Sequence, residues 1–441
     1  MINSMVAKYI CGIKTIPRKK RNVIDVVILI CLWPVFLLSK LIPKDKHLYI
    51  YGSSLGWHFA DNSKYLFLYA SENVNSINSV FISKKLSVIK HLHRNGLKAK
   101  YLYSLDGVIT VLRAKKAFIS HSSEDVHPAL LGGAEVIQLW HGTPLKMIVC
   151  DSDWMSHNGK DKIRNLIRKT AYSIIPYLYS SRFFDRIIIS SDYICPSFKS
   201  AFNISETIID VMGQSRNDSM SGDYNFDEKC FPEIKALEHF KKRFEYIISW
   251  LPTHRKPTPT NILDLMNDYK FDIDAFNEKL SDLNAVLLLK PHFLELEIAE
   301  NMIKDKSNIL IYREVDPYPL LRFTDILITD YSSIFFDFLI MNRPIIFTPF
   351  DFDDYMKNSG GLYYDYDEVT PGPKCYDWIE VMKEIEASIS FIYRREEDSY
   401  AKERVRVNGL FNKFNDGFSK RIVDNYFVKS DVAQTKNSAP Y

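Results

Sequence analysis

The stretch ILITDYSSIFFDFLIM at residues 326–341 decides the fold prediction for this chain. It begins with an apolar run, passes a hydroxyl-rich corner and continues in a helical pattern, before a second apolar run at residues 344–348. A strand that leads into a helix and then into another strand predicts a βαβ unit. Because the strand residues are largely apolar, we expect central strands of a parallel sheet that are buried on both faces.

The same alternation of strands and helices extends outward over most of the chain. A polar stretch at residues 213–227, rich in glycine, serine and asparagine, suits a connection between two lobes. The predicted strands are 47–53, 79–83, 100–103, 117–121, 136–140 and 186–190 before it and 245–250, 285–290, 308–312, 326–329 and 344–348 after it, with helices at 62–71 and 160–173. We therefore expect an α/β fold of two Rossmann-like, doubly wound lobes.

Length and composition agree with two lobes and exclude several partners. The chain has 441 residues, more than the roughly 250–300 that one hydrophobic core supports. A net charge of +3 gives no basic surface of the kind that binds nucleic acid, so no nucleic-acid partner is expected. The six cysteines are scattered, which favours a reducing cytoplasm over a disulfide framework. No motif predicts a cofactor or a bound metal.

The N-terminus has the composition of a membrane-associating segment. Basic residues 18–21 precede an apolar run at 26–38 that is shorter than the ~20 residues needed to cross a bilayer and contains Pro34. The flanking cations suit anionic headgroups, so we expect residues 1–45 to lie on a membrane surface. A spanning segment, a signal peptide and a buried helix of the first lobe are the alternatives.

The first candidate site is the run QLWHGTPLK at residues 138–146. An apolar strand ends here at His141, and ligands of open α/β sheets bind beyond the carboxyl ends of strands. At neutral pH His141 can take a proton from an acceptor hydroxyl. Gly142 and Thr143 allow a close backbone approach and supply a hydroxyl, and Lys146 can lie near phosphate. A packed, structural histidine is the alternative interpretation.

The second candidate site is KPHF at residues 290–293, at the end of an apolar strand of the other lobe. Two histidines facing one cleft is its simplest interpretation, with His141 as the base. A protonated His292, or Lys290, then stabilises charge that develops on phosphate oxygens. A histidine packed at a turn explains the motif equally well.

The third candidate site is the hydroxyl-rich corner at residues 329–333. Ser332 and Ser333 precede a helix, whose free N–H groups and dipole suit a pyrophosphate. Asp330 lies in the same corner, and Asp337, further along the helix, is a candidate for contact with a ribose. The alternative is that the serines and Asp330 only cap the helix.

Two basic residues complete the candidates. Arg255 follows the first strand of the second lobe and can clamp a phosphate. Arg216 lies in the stretch between the lobes and is a candidate cleft residue, although a solvated hinge explains it equally well.

Together these motifs resemble the CDP-glycerol glycerophosphotransferase family, the teichoic acid primases and polymerases. The matching segments are 61–65, 140–146, 252–255, 290–293 and 329–333 with Asp337, and the likeness runs from about residue 48 to 370. The resemblance implies a glycosyltransferase-B-type fold, peripheral to the cytoplasmic face of the cell membrane. It also implies transfer of a polyol phosphate from a CDP-activated donor to a hydroxyl of a lipid-linked or glycan acceptor, with release of CMP.

Carried across residue by residue, the resemblance makes His141 the base and His292 a second catalytic residue. Thr329, Ser332, Ser333 and Arg255 would then hold the donor diphosphate. Lys290 stands where arginine is expected, and residues 213–218 lack an aromatic-proline pair, so the polyol can be glycerol or ribitol.

The domain division expected from these patterns has four parts. Residues 1–45 form the membrane-associating segment, 46–215 the acceptor lobe, 216–395 the CDP-donor lobe, and 396–441 a C-terminal helix and polar tail. Two other functions fit the same fold: a glycosyltransferase that uses a nucleotide sugar, and an inactive membrane-docked scaffold of a polymer-assembly complex.

Overall fold

The computed structural model describes residues 31–152, 183–221, 224–253, 262–291, 295–359 and 361–428. The predicted helix at residues 160–173 lies outside these ranges, as do residues 1–30 of the predicted membrane segment. None of the helices in the described ranges has both the length and the apolar character needed to cross a membrane.

The first sheet consists of seven parallel strands in the order β3-β2-β1-β4-β5-β6-β7. They are β1 (Asp45–Gly52), β2 (Asn78–Ser83), β3 (Ala99–Tyr101), β4 (Ala114–Ile119), β5 (Glu135–Gln138), β6 (Arg186–Ile189) and β7 (Ile209–Val211). The predicted strands of the first set are confirmed. The edge strand β7 has no counterpart among them, because Asp210 at its centre interrupts the apolar run of this three-residue strand.

The second sheet consists of five parallel strands in the order β10-β9-β8-β11-β12. They are β8 (Tyr246–Leu251), β9 (Ala285–Leu289), β10 (Ile309–Ile311), β11 (Ile326–Thr329) and β12 (Ile345–Phe347). Every residue of β8, β9, β11 and β12 is buried, as expected for parallel strands covered on both faces. The expected central position is wrong for β12, which lies at the edge of the sheet, and its Phe347 exchanges backbone hydrogen bonds with Pro373 and Cys375 on the outer side. Both sheets reverse their strand order once, which confirms the predicted α/β fold with parallel sheets.

Helices connect the strands and cover the sheets. They are α1 (Trp33–Ser39), α2 (Asp61–Asn73), α3 (Leu86–Arg94), α4 (Leu105–Arg113), α5 (Cys195–Phe202), α6 (Ile234–Arg243), α7 (Ile262–Asn267), α8 (Ile273–Asp282), α9 (Leu296–Met302), α10 (Tyr318–Phe323), α11 (Ile334–Phe338), α12 (Phe352–Ser359), α13 (Tyr366–Val369), α14 (Trp378–Arg394), α15 (Ala401–Phe411) and α16 (Phe418–Val423). The side chains of Ser104, Asp272 and Asp377 accept backbone N–H groups and fix the starts of α4, α8 and α14.

Only one side of helix α1 packs on the first lobe. Phe36 is buried and meets Phe183 edge-on, with ring centroids 5.5 Å apart. Leu38 and Leu41 on and after the helix remain 62% and 76% exposed. The described part of the N-terminal segment is therefore docked on the protein and also presents an apolar face.

The C-terminal helix α16 returns to the first lobe after the chain has completed the second. Tyr426 and Phe427, in the turn after α16, join the core around β1 and β4, where the rings of Phe427 and Tyr49 lie 4.9 Å apart. Asp218, in the stretch between the lobes, accepts hydrogen bonds from the backbone N–H groups of Phe418 and Ser419, each at 2.9 Å. The two segments that connect the lobes are thus joined to each other by hydrogen bonds.

Buried ion pairs hold the two lobes together at α2. Lys64 Nζ lies 3.0 Å from Asp316 Oδ2, and both side chains are buried. The hydroxyl of Tyr65 donates to the same oxygen at 3.0 Å. Removing either charge of such a pair leaves the other uncompensated, so the pair favours one arrangement of the lobes.

Candidate active site

The cleft between the lobes lies where the carboxyl ends of β4, β5 and β11 meet. A cavity of about 290 Å³ is lined from the first lobe by His121 and His141 and from the second by Ser332 and Ser333. The sequence motifs that follow β5 and β11 are therefore brought together, as we expected from their places at strand ends.

His141 is presented to the cleft by a strained turn. The preceding Trp140 has a φ of 56°, in the left-handed region that bulky residues rarely adopt. Its N–H donates to Gln138 Oε1 at 2.9 Å, and its carbonyl accepts from Asn62 Nδ2 at 2.9 Å. These contacts hold a conformation that is costly by itself, as is common where a side chain is positioned for function.

The hydrogen bonds of His141 define which ring nitrogen is free. Nδ1 lies 3.1 Å from the carbonyl oxygen of Ser120, which can only accept, so Nδ1 carries the proton and Nε2 has a free lone pair. His141 is exposed to the cleft, and the rings of His121 and Trp140, with centroids 4.3 Å and 4.2 Å away, desolvate its inner sides. This desolvation, together with the neighbouring His121, lowers the pKa of His141 to about 4. At neutral pH the ring is therefore uncharged and able to accept a proton.

A second histidine, which the sequence analysis did not single out, stacks on His141. The rings of His121 and His141 are 4.3 Å apart and nearly parallel, at 8°. The backbone N–H of Ser54 lies 3.3 Å from His121 Nδ1, which must accept, so the His121 proton is on Nε2. Burial lowers the pKa of His121, and this ring is also neutral at pH 7.

Arg216 lies between the lobes and bonds to both. Its side chain is 2% exposed, and its two terminal nitrogens donate to Asp61 Oδ1 at 2.7 Å and Asp337 Oδ2 at 2.9 Å. Burial opposes its charge, but the carboxylates, Asp337 foremost, keep the pKa of Arg216 raised. Burial likewise opposes the charge of Asp61, and Arg216 with both histidines lowers the pKa of Asp61 nonetheless. The predicted cleft residue Arg216 is thus a buried clamp rather than a solvated hinge.

Asp337 belongs to this clamp. Besides Arg216, Asn217 Nδ2 donates to Asp337 Oδ1 at 3.0 Å, and the hydroxyl of Tyr318 donates to Oδ2 at 2.9 Å. Both carboxylate oxygens are therefore occupied. Asp337 also lines the smaller cavity, and the ribose contact that we expected for it stays a prediction.

The serine corner faces the histidines across the cleft. Within the described residues neither Ser332 nor Ser333 has a hydrogen-bond partner for its hydroxyl, and both hydroxyls can donate to a ligand. Gly142 permits this close approach of the lobes, because a Cβ at this position would lie 2.9 Å from Ser333 Oγ and its φ of 155° disfavours other residues.

Three predicted residues are buried and line neither cavity of the cleft. Thr329 Oγ1 donates to the carbonyl oxygen of Leu251 at 2.8 Å, and Thr143 Oγ1 lies 3.2 Å from Ser190 Oγ. Asp330 accepts the backbone N–H groups of Thr253 and Tyr331, with Oδ1 at 2.8 Å and 2.6 Å. The hydroxyls and the carboxylate therefore fix the loops that shape the cleft instead of pointing into it.

A larger cavity of about 580 Å³ continues the cleft on the side of the second lobe. Lys290, Pro252 and Pro291 line it at the ends of β8 and β9, and Ser332 borders both cavities. Lys290 Nζ donates to the carbonyl oxygen of Glu314, and burial lowers the pKa of Lys290 to about 8. At neutral pH a charged ammonium group is therefore present beside this cavity.

The remaining predicted residues do not enter the cavities or lie outside the described residues. Lys146 pairs through its backbone with Leu362 of the second lobe, and its ammonium group is 5.9 Å from the centre of the Tyr355 ring. His292 and Arg255 lie outside the described residues, so their roles stay predictions. They follow Pro291 and Pro252, which line the larger cavity, by one and three positions.

The missed residues have a signal in the sequence that becomes clear with the sheet order. His121 follows β4 by two residues and His141 follows β5 by three, and these strands are neighbours with Ile119 paired to Gln138. Histidines just past the ends of adjacent parallel strands share one edge of a sheet. His58 is another histidine of the first lobe that lines the larger cavity.

Comparison with known proteins gives one consistent result. Residues 35–428 match the family model described as CDP-glycerol:poly(glycerophosphate) glycerophosphotransferase. The chain is 29% identical over 343 residues to a teichoic acid glycerol-phosphate transferase of Staphylococcus aureus, covering 76% of this chain and 82% of that one. It is also 29% identical over 360 residues to a teichoic acid poly(glycerol phosphate) polymerase of Bacillus spizizenii, covering 77% and 83%. The fold is similar to that of the wall teichoic acid polymerase TagF, with a TM-score of 0.68, 22% identity and coverage of 95% and 97%.

Proposed function

The chain belongs to the family of CDP-glycerol:poly(glycerophosphate) glycerophosphotransferases, and on this basis we propose that it transfers glycerol phosphate from CDP-glycerol to a hydroxyl of a lipid-linked or glycan acceptor. CMP is the leaving group. The observation that carries the proposal is the free Nε2 of a neutral His141, in a cavity shared with Ser332 and Ser333. The names of the relatives support glycerol phosphate as the transferred group.

In the proposed reaction the acceptor hydroxyl gives its proton to His141 Nε2 and its oxygen attacks the phosphorus that carries the glycerol. The new phosphorus–oxygen bond forms as the bond to CMP breaks, and CMP leaves with the electron pair. Ser332, which borders both cavities, and Ser333 donate hydrogen bonds to the diphosphate at the junction. Preorganised donors of this kind stabilise charge as it develops on phosphate oxygens.

The larger cavity suits the nucleotide part of the donor. Its volume of about 580 Å³ is within the range of small-molecule sites, and Lys290 supplies a positive charge next to it. We assign Arg255 and His292 to the same donor phosphates, because they follow Pro252 and Pro291 of the cavity wall. Residues 46–215 then form the acceptor lobe and residues 216–395 the donor lobe, followed by the C-terminal segment 396–441.

The donor assay decides between the candidate activities. Purified protein is incubated with CDP-glycerol, CDP-ribitol or nucleotide sugars and a lipid-linked acceptor, and the released nucleotide is identified. We expect CMP from CDP-glycerol. Release of a nucleoside diphosphate from a nucleotide sugar would make the protein a glycosyltransferase, and absence of any release or binding would favour the scaffold.

Variants test the roles within the site. His141→Ala should abolish CMP release while the thermal unfolding temperature stays unchanged, and a full rate would remove His141 from its role. Ser332→Ala should raise the KM for CDP-glycerol about tenfold or more, the value of a hydrogen bond to a charged group. Ser200→Ala, at an exposed position on α5, is the matched control and should leave this KM unchanged.

The exposed face near α1 supports a peripheral position at the cytoplasmic side of the cell membrane. Leu37, Leu38 and Leu41 are exposed, with the exposed Lys40 beside them. Apolar side chains flanked by cations bind the surface of anionic bilayers. Replacing the three leucines by serine should reduce flotation of the protein with anionic vesicles, and unchanged flotation would contradict this assignment.

A further inference from the structure

The stacked pair His121 and His141 offers two complementary hydrogen-bonding groups to one cavity. Nδ1 of His141 donates to Ser120 and Nδ1 of His121 accepts from Ser54, so the two Nε2 atoms have opposite roles. His141 presents a lone pair and His121 presents an N–H. Within the described residues neither Nε2 atom has a hydrogen-bond partner, and both rings line the cavity of about 290 Å³.

This arrangement is fixed by the backbone on both sides of the pair. The donor to His121 is the N–H of Ser54, just after β1, and the acceptor for His141 is the carbonyl of Ser120, just after β4. Backbone groups do not change their roles as donor or acceptor. The pair therefore keeps one donor and one acceptor facing the cavity whenever both rings are neutral.

The charges around the pair favour a neutral partner for His121. The Asp61 carboxylate interacts electrostatically with both histidine rings. It belongs to the clamp with Arg216 and Asp337, which has one positive and two negative charges. Of the charged groups that act on His121, Asp61 has the largest effect, so the ring favours a neutral partner over an anionic one, while the proposed position of the diphosphate is at Ser332 and Ser333. A neutral hydroxyl, which accepts one hydrogen bond, fits this position better.

We propose that His121 binds a second hydroxyl of the acceptor, next to the one that reacts, so that the enzyme selects acceptors with two neighbouring hydroxyl groups. The reacting hydroxyl donates to His141 Nε2, and its neighbour accepts from His121 Nε2. A hydrogen bond from His121 to the reacting oxygen itself would instead occupy a lone pair of the nucleophile. The end of a glycerol phosphate chain carries such a pair of hydroxyls, and this inference rests on the proposed function.

The test compares two acceptors with the full chain. One lipid-linked acceptor ends in glycerol phosphate, and the other ends in 1,3-propanediol phosphate, which lacks the second hydroxyl. We expect wild-type kcat/KM to be about tenfold lower for the second acceptor, the value of one lost hydrogen bond. His121→Phe, which keeps a stacked ring, should lose about tenfold on the first acceptor and nothing further on the second. The KM for CDP-glycerol should be the same for wild type and His121→Phe, with either acceptor.

The controls separate this inference from the proposed function. His239→Phe, at an exposed position on α6, should behave as wild type with both acceptors. Equal wild-type rates on the two acceptors, or equal losses by His121→Phe on both, would overturn the role of His121 while CMP release upholds the activity. If His121→Phe does not fold, the comparison of the two acceptors with the wild-type protein decides. Absence of CMP release with either acceptor overturns the proposed function and this inference with it.

Discussion

The clamp around Arg216 allows a quantitative test of how the lobes are held. Arg216→Met keeps much of the aliphatic stem but removes both bonds to the carboxylates of Asp61 and Asp337. Asp337 is almost fully buried, and Asp61 has little exposure, so both would be left without compensation. Breaking a buried ion pair by removing one partner costs about 3–5 kcal/mol. This is a large part of the roughly 5–15 kcal/mol that stabilises a typical folded protein.

Urea unfolding followed by intrinsic fluorescence measures this free energy, with Arg406→Met as the matched control. Arg406 pairs with Glu403 at the surface, where both side chains are about half exposed, and such pairs contribute at most about 1 kcal/mol. Adding Asp337→Asn to Arg216→Met should recover about 1 kcal/mol or more, because it removes one unpaired buried charge. The reasoning is refuted if Arg216→Met costs no more than Arg406→Met, or if Asp337→Asn lowers the stability further.

Two further predictions concern catalysis. Because the pKa of His141 is lowered to about 4 and the base must be deprotonated, kcat/KM should fall only below about pH 5; an acid limb near pH 6–7 would contradict a neutral, desolvated ring. His121→Phe removes a neighbour that lowers this pKa and should move the limb to higher pH. Gly142→Ala places a Cβ 2.9 Å from Ser333 Oγ and should lower kcat/KM at least about tenfold, the effect of misplacing reacting groups. Gly96→Ala, also at positive φ but with open space around it, should keep the full rate; equal losses would show that backbone strain alone is responsible.

Much of the fold could be predicted from the sequence because buried parallel strands have a local signature. The strand at residues 326–329 was predicted with its observed bounds, since Ile326, Leu327 and Ile328 are fully buried and a polar corner follows at once. Strand β7 was not predicted, because Asp210 at its centre, which pairs with Arg186, interrupts the apolar run. The return of α16 to the first lobe also has no local signal, since its contacts with Asp218 span 200 positions.

The candidate site was predictable in its motifs but not in the roles of single side chains. His141 and the serine corner share a cavity, as their places at strand ends implied. The sequence does not reveal whether a hydroxyl such as that of Thr329 points into a cleft or to a neighbouring strand, because this depends on register. The clamp joins residues 155 and 121 positions apart, and no local pattern links such distant charges.

The hydrogen bonds of Asp218 with Phe418 and Ser419 join the two segments that connect the lobes. They limit how this enzyme can be divided and how its lobes can open. A fragment that ends before Asp218 would leave Tyr49 exposed where Phe427 now covers it, so the first half should aggregate unless residues 418–428 are supplied as a peptide or by circular permutation. With both segments side by side, the halves can turn about one line but cannot slide or separate freely. The lobes should therefore open for substrate entry by a hinge rotation about the two connecting segments.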